Sequence, residues 1–358
     1  MLFRRIVSLV VFAGALGGIA LGCLGVWFAP LDFFAQFTVH WAVLAAAGFL
    51  AVVFTRAALP LIAAALVLAV LAPASLSALY WGEADRPAVA RAARLAELST
   101  SPVAGSFAGL AAGATAGSSA ASGPVRHAGV PARVIRPAGA PAFKFLTFNL
   151  LNTNRAVDDI IAEIARHDAD VVFLAEFGPL HAAVCRWMAD RYPYSIDCST
   201  EWSCTVGLYS RFPLENGRTV DARADAGPRR LSADVKIAGT RVHVIGAHMI
   251  SPIDGPSANF RELDFLARLA ADERGPVVVA GDFNATIFSH ALQNFREKSG
   301  LIHMGHLIAS WPLRPVALPQ IGIDHIFMSS DLELYDIAAG HPAGSDHLPI
   351  VATLRLAR

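Results

Sequence analysis

Nine polar residues of this 358-residue chain stand at the ends of segments whose side-chain patterns predict strands. Asn149 ends Phe143–Leu150, Glu176 ends Asp170–Phe177, and His248 ends Arg241–His248. Asp282 and Asn284 follow Val277–Ala280, Asp324 and His325 open Ile323–Ser329, and Asp346 and His347 precede Leu348–Leu356. Strand ends in layered α/β domains converge on one rim, so these side chains can share a site. A single Asp at a strand end is usually a cap or turn residue, so the set carries the signal rather than any member. Carboxylates such as Glu176 and Asp346 are hard oxygen donors suited to Mg2+, or to Mn2+ in its place.

The local contexts are Thr147-Phe148-Asn149, Leu174-Ala175-Glu176, Tyr209-Ser210-Arg211-Phe212-Pro213, His248-Met249-Ile250-Ser251-Pro252, Gly281-Asp282-Phe283-Asn284, Ile323-Asp324-His325-Ile326-Phe327 and Ser345-Asp346-His347-Leu348-Pro349-Ile350. In this order they resemble the endonuclease/exonuclease/phosphatase superfamily, the fold of deoxyribonuclease I, over essentially all of Phe143–Arg358. The chain looks closest to bacterial members with membrane spans ahead of the domain. The resemblance implies an α/β fold, a four-layer sandwich of two packed mixed sheets flanked by helices, and a phosphate-ester hydrolase.

Hydrolysing a phosphodiester requires neutralising phosphoryl oxygens, aligning a water and protonating or stabilising the leaving oxygen. The resemblance implies that Glu176 is a direct metal ligand, with Asn149 and Asp346 completing the site through oxygen or water. Asp282 would then position or deprotonate the attacking water, and Asn284 would donate to a phosphoryl oxygen. His347 is expected as an acid or phosphate donor held in its tautomer by Asp324, a pairing that favours the protonated imidazole. His248 falls where nuclease-like members place a phosphate-contacting or acid residue. Leu151 stands where some nucleases carry a carboxylate, which argues against a second metal site there.

Arg211 reads as a residue that fixes a strand end and Arg261 as one that sits on a helix, and either is a candidate for orienting a phosphate or ligand. His243 alternates with core positions and reads as structural, while His303 and His306 read as loop histidines. Trp311-Pro312 either lines the cleft or caps a sheet edge.

These residues need a scaffold. Helical spacing marks Val157–His167, Leu180–Arg191 and Ser257–Arg274, Thr205–Ser210 reads as a strand, and a turn at Ala238-Gly239-Thr240 joins Leu231–Ile237 to Arg241–His248. The whole chain is 54% hydrophobic and 16% charged, yet residues 1–82 carry only Arg4, Arg5, Asp32 and Arg56. Such a distribution excludes a uniform soluble globule, a disordered chain and a disulfide-dense one. Apolar runs at Ile6–Phe28, Val39–Thr55 and Leu59–Trp81 predict three transmembrane helices within an anchor of residues 1–82. Glu83–Leu98 reads as a juxtamembrane helix and Ser99–Ala142 as an Ala/Gly/Ser/Pro linker, so residues 83–142 connect the anchor to a domain of residues 143–358.

The loop Pro30–Thr38 lacks Lys and Arg, whereas Arg4, Arg5 and Arg56 flank the other span ends. The positive-inside rule therefore puts the N-terminus in the cytoplasm and, after three crossings, the domain in the periplasm of a bacterial inner membrane. Cys198 and Cys204 are spaced to close a short loop by a disulfide, or remain buried thiols. Residues 143–358 hold 20 Lys and Arg against 25 Asp and Glu. A long nucleic acid usually meets a basic footprint, so nucleic acid is permitted rather than favoured as a substrate beside lipid head groups and small phosphate esters. The expected protein is a membrane-anchored, Mg2+-dependent phosphoric ester hydrolase, with phosphodiesters first among substrates. The alternative is an inactive binding or scaffold protein of the same fold.

Overall fold

The computed structural model describes residues 2–54, 126–127, 141–197, 205–221, 227–304, 308–313 and 320–357. Strands β1 (Arg126–His127), β2 (Ala142–Asn149), β3 (Val171–Ala175), β4 (Tyr194–Asp197), β5 (Val206–Ser210), β12 (Leu332–Ala339) and β13 (Ile350–Leu356) build one sheet in the order β1-β4-β5-β3-β2-β13-β12. The second sheet runs β10 (Ile302–Met304), β11 (Asp324–Met328), β9 (Val277–Asp282), β8 (Thr240–His248), β7 (Arg229–Ile237) and β6 (Leu214–Val220). Each contains one parallel pair, β2 with β3 and β8 with β9, among antiparallel neighbours. A parallel pair needs a crossover, supplied by α4 (Val157–His167) and α6 (Pro256–Asp272). Both strands of each pair consequently end on the same rim.

Alternation explains how the layers form. In β2, Phe143 and Phe145 point into a core shared by the two sheets, whereas Leu146 and Phe148 point outward. The outward residues pack with Ile160 and Ile164 of α4 and with Val184 and Met188 of α5 (Ala182–Ala189). On the other sheet Val244, Val278 and Ile326 face inward, while Ile245, Val279 and Phe327 pack with Leu263 and Leu266 of α6 and with Leu292 and Phe295 of α7 (His290–Ser299). The result is the expected four-layer sandwich. At Gly246 the two sheets approach closely, because a Cβ there would lie 2.1 Å from the Phe173 ring.

The anchor matches its expectation less fully. α1 (Leu2–Leu24) stops four residues before the predicted end at Phe28, and α3 (Thr38–Phe54) coincides with the second run. Among the described residues one helix, Ile6–Leu24, is long and apolar enough to cross a membrane; a second counts only if Ala29–Ala35 and Thr38–Phe54, bent by 59°, form one broken span. Three transmembrane helices are therefore not shown. The third run Leu59–Trp81 and the juxtamembrane segment lie outside the described residues, as does the linker apart from β1, Pro141 and Ala142, the last of which opens β2 rather than ending the linker. Between α1 and α3, the short helix α2 (Asp32–Ala35) follows a turn at Ala29–Leu31.

Candidate active site

Period-two alternation carries the inward-facing apolar series of four strands straight into polar residues at one rim. Phe143 and Phe145 lead to Asn149, Val242 and Val244 to His248, Val278 and Ala280 to Asp282, and Met328 and Ile326 back to Asp324. Register keeps them level: Asp282 sits opposite both His248 and Asp324, and Asn149 lies beside Ala175. Glu176 follows the outward-facing parity of Val172 and Leu174, but its φ of 51° turns the chain and re-aims the carboxylate. Gly281 permits the close approach of β9 to β8, since at its φ of 141° a Cβ would stand 1.9 Å from the Ala247 carbonyl oxygen.

Asn149, buried at the rim, donates from Nδ2 to Glu176 Oε1 at 3.1 Å and to Asp282 Oδ2 at 2.9 Å. It thereby ties the two sheets together. Its Oδ1 accepts the Leu151 amide at 3.0 Å, so the side chain expected to offer oxygen to a metal instead presents donors to two carboxylates. Glu176 Oε2 accepts the Asn152 amide at 2.9 Å. Asp282 Oδ1 accepts the Asn284 amide at 2.8 Å. Asn284 Nδ2 donates to the Met249 carbonyl at 3.0 Å and to Asp282 Oδ2 at 3.3 Å, which makes it a strut for Asp282 rather than a free phosphoryl donor.

His347 Nδ1 meets Asp324 Oδ2 at 2.8 Å, and the same oxygen accepts the Ser310 hydroxyl at 2.6 Å. The opposite ring nitrogen, Nε2, lies 3.8 Å from Asp282 Oδ2. His248 Nε2 approaches that oxygen to 3.7 Å and Glu176 Oε1 to 3.9 Å. Burial alone would deprotonate both imidazoles, but the charges of Asp324 and Asp282 reverse this for His347 and push it up to about 10. His248 stays under the control of burial, against the pull of Glu176 and with Arg229 adding to the effect, and falls to about 4. Burial pushes Asp282 up to about 7, opposed by His347 and reinforced by Asp324. At neutral pH the rim thus holds one charged and one neutral imidazole against a shared carboxylate.

Asp346 Oδ2 accepts Trp311 Nε1 at 3.0 Å, and the Trp311 ring centroid lies 6.3 Å from that of His347, so Trp311 lines the site. Among the described residues, the buried oxygens Asp324 Oδ1 and Asp346 Oδ1 have no hydrogen-bond partner. Asp282, Asp324 and His347 also lie close enough together to hold a cation, although the hydrogen bond between His347 and Asp324 already occupies facing ligand atoms.

The structure does not bring every candidate to this rim. Arg211 pairs with Asp168, and with Asp170 at 3.7 Å, at the opposite end of β3 from Glu176. Arg261 lies exposed on α6, and among the described residues no hydrogen bond or ion pair joins it to the cluster. Cys198, Cys204 and His306 lie outside the described residues. His303 is not a loop residue: it is buried on β10, with Nε2 2.9 Å from His325 Nδ1. His325 Nε2 must donate to the Ala285 carbonyl at 2.7 Å, so His325 Nδ1 is left to accept from His303. Sequence reading missed Ser310, which arrives from a distant loop, and Ser345, whose hydroxyl donates to the Asn149 carbonyl at 2.7 Å and accepts the His347 amide at 3.0 Å. The Ser345-Asp346-His347 motif contained the signal for Ser345, and the signal nearest Ser310 was its neighbour Trp311, a candidate for lining the cleft.

Two packed mixed sheets thus meet at one rim that carries carboxylates, amides and an Asp–His pair. Residues 146–347 match the Endonuclease/Exonuclease/phosphatase family, and the chain belongs to it. Members of that family are generally phosphoester hydrolases. Similar solved structures include D. rerio TDP2 complexed with single-strand DNA product, at 17% identity and TM-score 0.50 over 60% of this chain and 99% of that one. An endonuclease/exonuclease/phosphatase family protein from Bacteroides thetaiotaomicron has the same identity and TM-score over 61% of this chain and 96% of its own. At such identities the likeness is one of fold. No curated protein matches the chain in sequence.

Proposed function

We propose that this protein is a membrane-anchored, divalent-metal-dependent phosphodiesterase acting through the rim of Asn149, Glu176, His248, Asp282, Asn284, Asp324, Asp346 and His347. One observation carries the reading. Glu176, Asp282, Asp324 and Asp346 converge there, and among the described residues none is ion-paired to Lys or Arg. Asp282 and Asp324 are buried and Glu176 and Asp346 partly so, and a carboxylate cluster of this kind is costly to ionise without a cation. All-oxygen donors suit Mg2+ or Mn2+, and the unpartnered Asp346 Oδ1 fits a ligand role beside Glu176. A bound divalent ion would neutralise phosphoryl oxygens and acidify a water.

The chain's own groups then divide the remaining work. Asp282, steadied by Asn149 and Asn284, orients the attacking water and takes its proton. His347, fixed through Nδ1 by Asp324, presents Nε2–H to a phosphoryl or leaving oxygen. His248 supplies a second contact from the neighbouring strand.

Contacts between residues 22–36 and the domain favour placing both on one side of the membrane. α3 leads away from that side, so a third crossing by Leu59–Trp81 would return the chain to its domain, on the periplasmic side by the positive-inside argument. That setting and the acidic balance of residues 143–358 favour head-group or small phosphodiesters over long nucleic acids.

The test is turnover by the full chain in detergent with Mg2+, on a chromogenic phosphodiester, phospholipid vesicles and plasmid DNA. Hydrolysis of at least one that disappears in Glu176→Ala and His347→Ala is expected. No turnover on any, or turnover indifferent to both substitutions, overturns the proposal. A reporter fused after Arg358 that works only in the cytoplasm would overturn the orientation.

A further inference from the structure

The segment joining α1 to α3 contains Asp32, the sole carboxylate of the first 54 residues. Asp32 and Gln36 are each only 5% exposed, although they belong to the most apolar part of the chain. Their partners are in the domain, on the stretch that runs from just after the Gly281-Asp282-Phe283-Asn284 motif into the first turn of α7. Asp32 Oδ1 accepts the His290 amide at 2.7 Å and Oδ2 accepts the Ala291 amide at 3.1 Å. These are the first two amides of α7, which have no partner within the helix, and Ser289 Oγ takes the next at Leu292. Gln36 Oε1 accepts the Thr286 amide at 2.5 Å, and His290 Nε2 donates to the Gly22 carbonyl at 3.1 Å.

The dock is reciprocal. Without it, a carboxylate at the edge of an apolar anchor loses its hydrogen bonds, and three amides next to the catalytic motif lose their acceptors. Thr286 is two residues from Asn284, which steadies Asp282. Asn284 itself sits at a φ of 48°, so this loop must be held against a conformation that non-glycine residues disfavour. On its inner side the loop is held by His325 at the Ala285 carbonyl, and on its outer side by the anchor.

We propose that the anchor's connecting segment is part of the catalytic unit, with Asp32 and Gln36 as positioning residues that hold the loop carrying Asn284 and so aim Asp282. The inference rests on the phosphodiesterase reading of the rim. It assigns to the anchor a task beyond tethering.

The experiment compares full-length wild type, Asp32→Ala/Gln36→Ala, Gln36→Ala and Gln36→Glu in detergent, with saturating Mg2+ and a soluble chromogenic phosphodiester, so that membrane access plays no part. Displacing a catalytic loop by a fraction of an ångström to an ångström costs on the order of tenfold to a hundredfold, so the double variant should lose that in kcat. KM should stay within about twofold, because the interaction acts on a reacting group rather than on uniform binding. Gln36→Glu keeps the acceptor oxygen and should retain most of the activity that Gln36→Ala loses. Amide exchange at Thr286, His290 and Ala291 should quicken in the double variant. Unchanged kcat in the double variant, or Gln36→Glu as impaired as Gln36→Ala, overturns the inference alone. If the double variant does not fold, the Gln36 pair decides. A wild type without turnover that depends on Glu176 overturns the catalytic reading first, and this inference with it.

Discussion

The two rims of the same sheets use similar residue types to opposite ends. At the rim away from the site, Asp234 accepts Arg241 at 3.0 Å, His243 at 2.7 Å and Asn216 at 2.7 Å, and Arg211 bridges Asp168 and Asp170. Every carboxylate in those groups has a cation, and each group fastens strands together. Five residues farther along β8, about 17 Å at strand spacing, four carboxylates meet with no Lys or Arg partner among the described residues. Stability is served by pairing charge, and the rim proposed for catalysis withholds that pairing among the described residues. The difference teaches that a carboxylate–histidine motif is informative about chemistry only when its charge balance is counted.

Breaking the catalytic rim should cost activity with little stability. Glu176→Ala is expected to reduce turnover on the order of a thousandfold, and chelation should abolish it with Mg2+ or Mn2+ restoring it. Full activity in chelator would remove the cation from the comparison. His347→Ala should cost about 10²–10⁴-fold as an acid or donor is lost. His248→Ala, lacking a dedicated carboxylate hydrogen bond, should cost about tenfold less than His347→Ala. If the two histidines proved equal, the asymmetry between the Asp324-held ring and its neighbour would not matter to function. Arg211→Ala should leave kcat and KM within about twofold, since its partners lie at the far rim.

Legibility followed burial. Central strands such as β2, β3, β8 and β9 were readable because both faces are packed and their apolar series ends abruptly in Asn149, Glu176, His248 and Asp282. β6 and β12 were missed: both are edge strands, largely exposed, and a register shift in each cuts short any alternation. α7 was missed because His290–Ser299 is polar at most positions and buries only four side chains. Within the site, motif order marked the titratable groups, but the donor side that Asn149 presents to Glu176 and Asp282 depends on which sheets face each other. Arg211 fits its reading as a residue that fixes a strand end, and its candidacy for the cleft fails for the same reason. A strand-end motif does not say which end meets the cleft.

The smallest effect sharpens the comparison from the structural side. Burial alone would raise the Asp234 carboxyl, but hydrogen bonds from His243 and Asn216, with the charges of His243 and Arg241, outweigh it and hold it below its ordinary value of 3.8. A carboxyl with a depressed folded-state pKa binds its proton more readily when unfolded. Its stabilisation is therefore complete above about pH 4–5 and is lost as pH falls through the lower, folded value. Asp234→Asn should destabilise the full chain by about 1–3 kcal/mol at neutral pH, with kcat and KM unchanged. Thermal unfolding in detergent from pH 7 down to pH 3 should show the gap between wild type and variant closing in acid. A gap that stays constant throughout would mean that Asp234 is not held by ionised pairing. A matching fall in kcat at neutral pH would mean that the two rims are coupled through β7 and β8, and that the far rim does more than fasten strands.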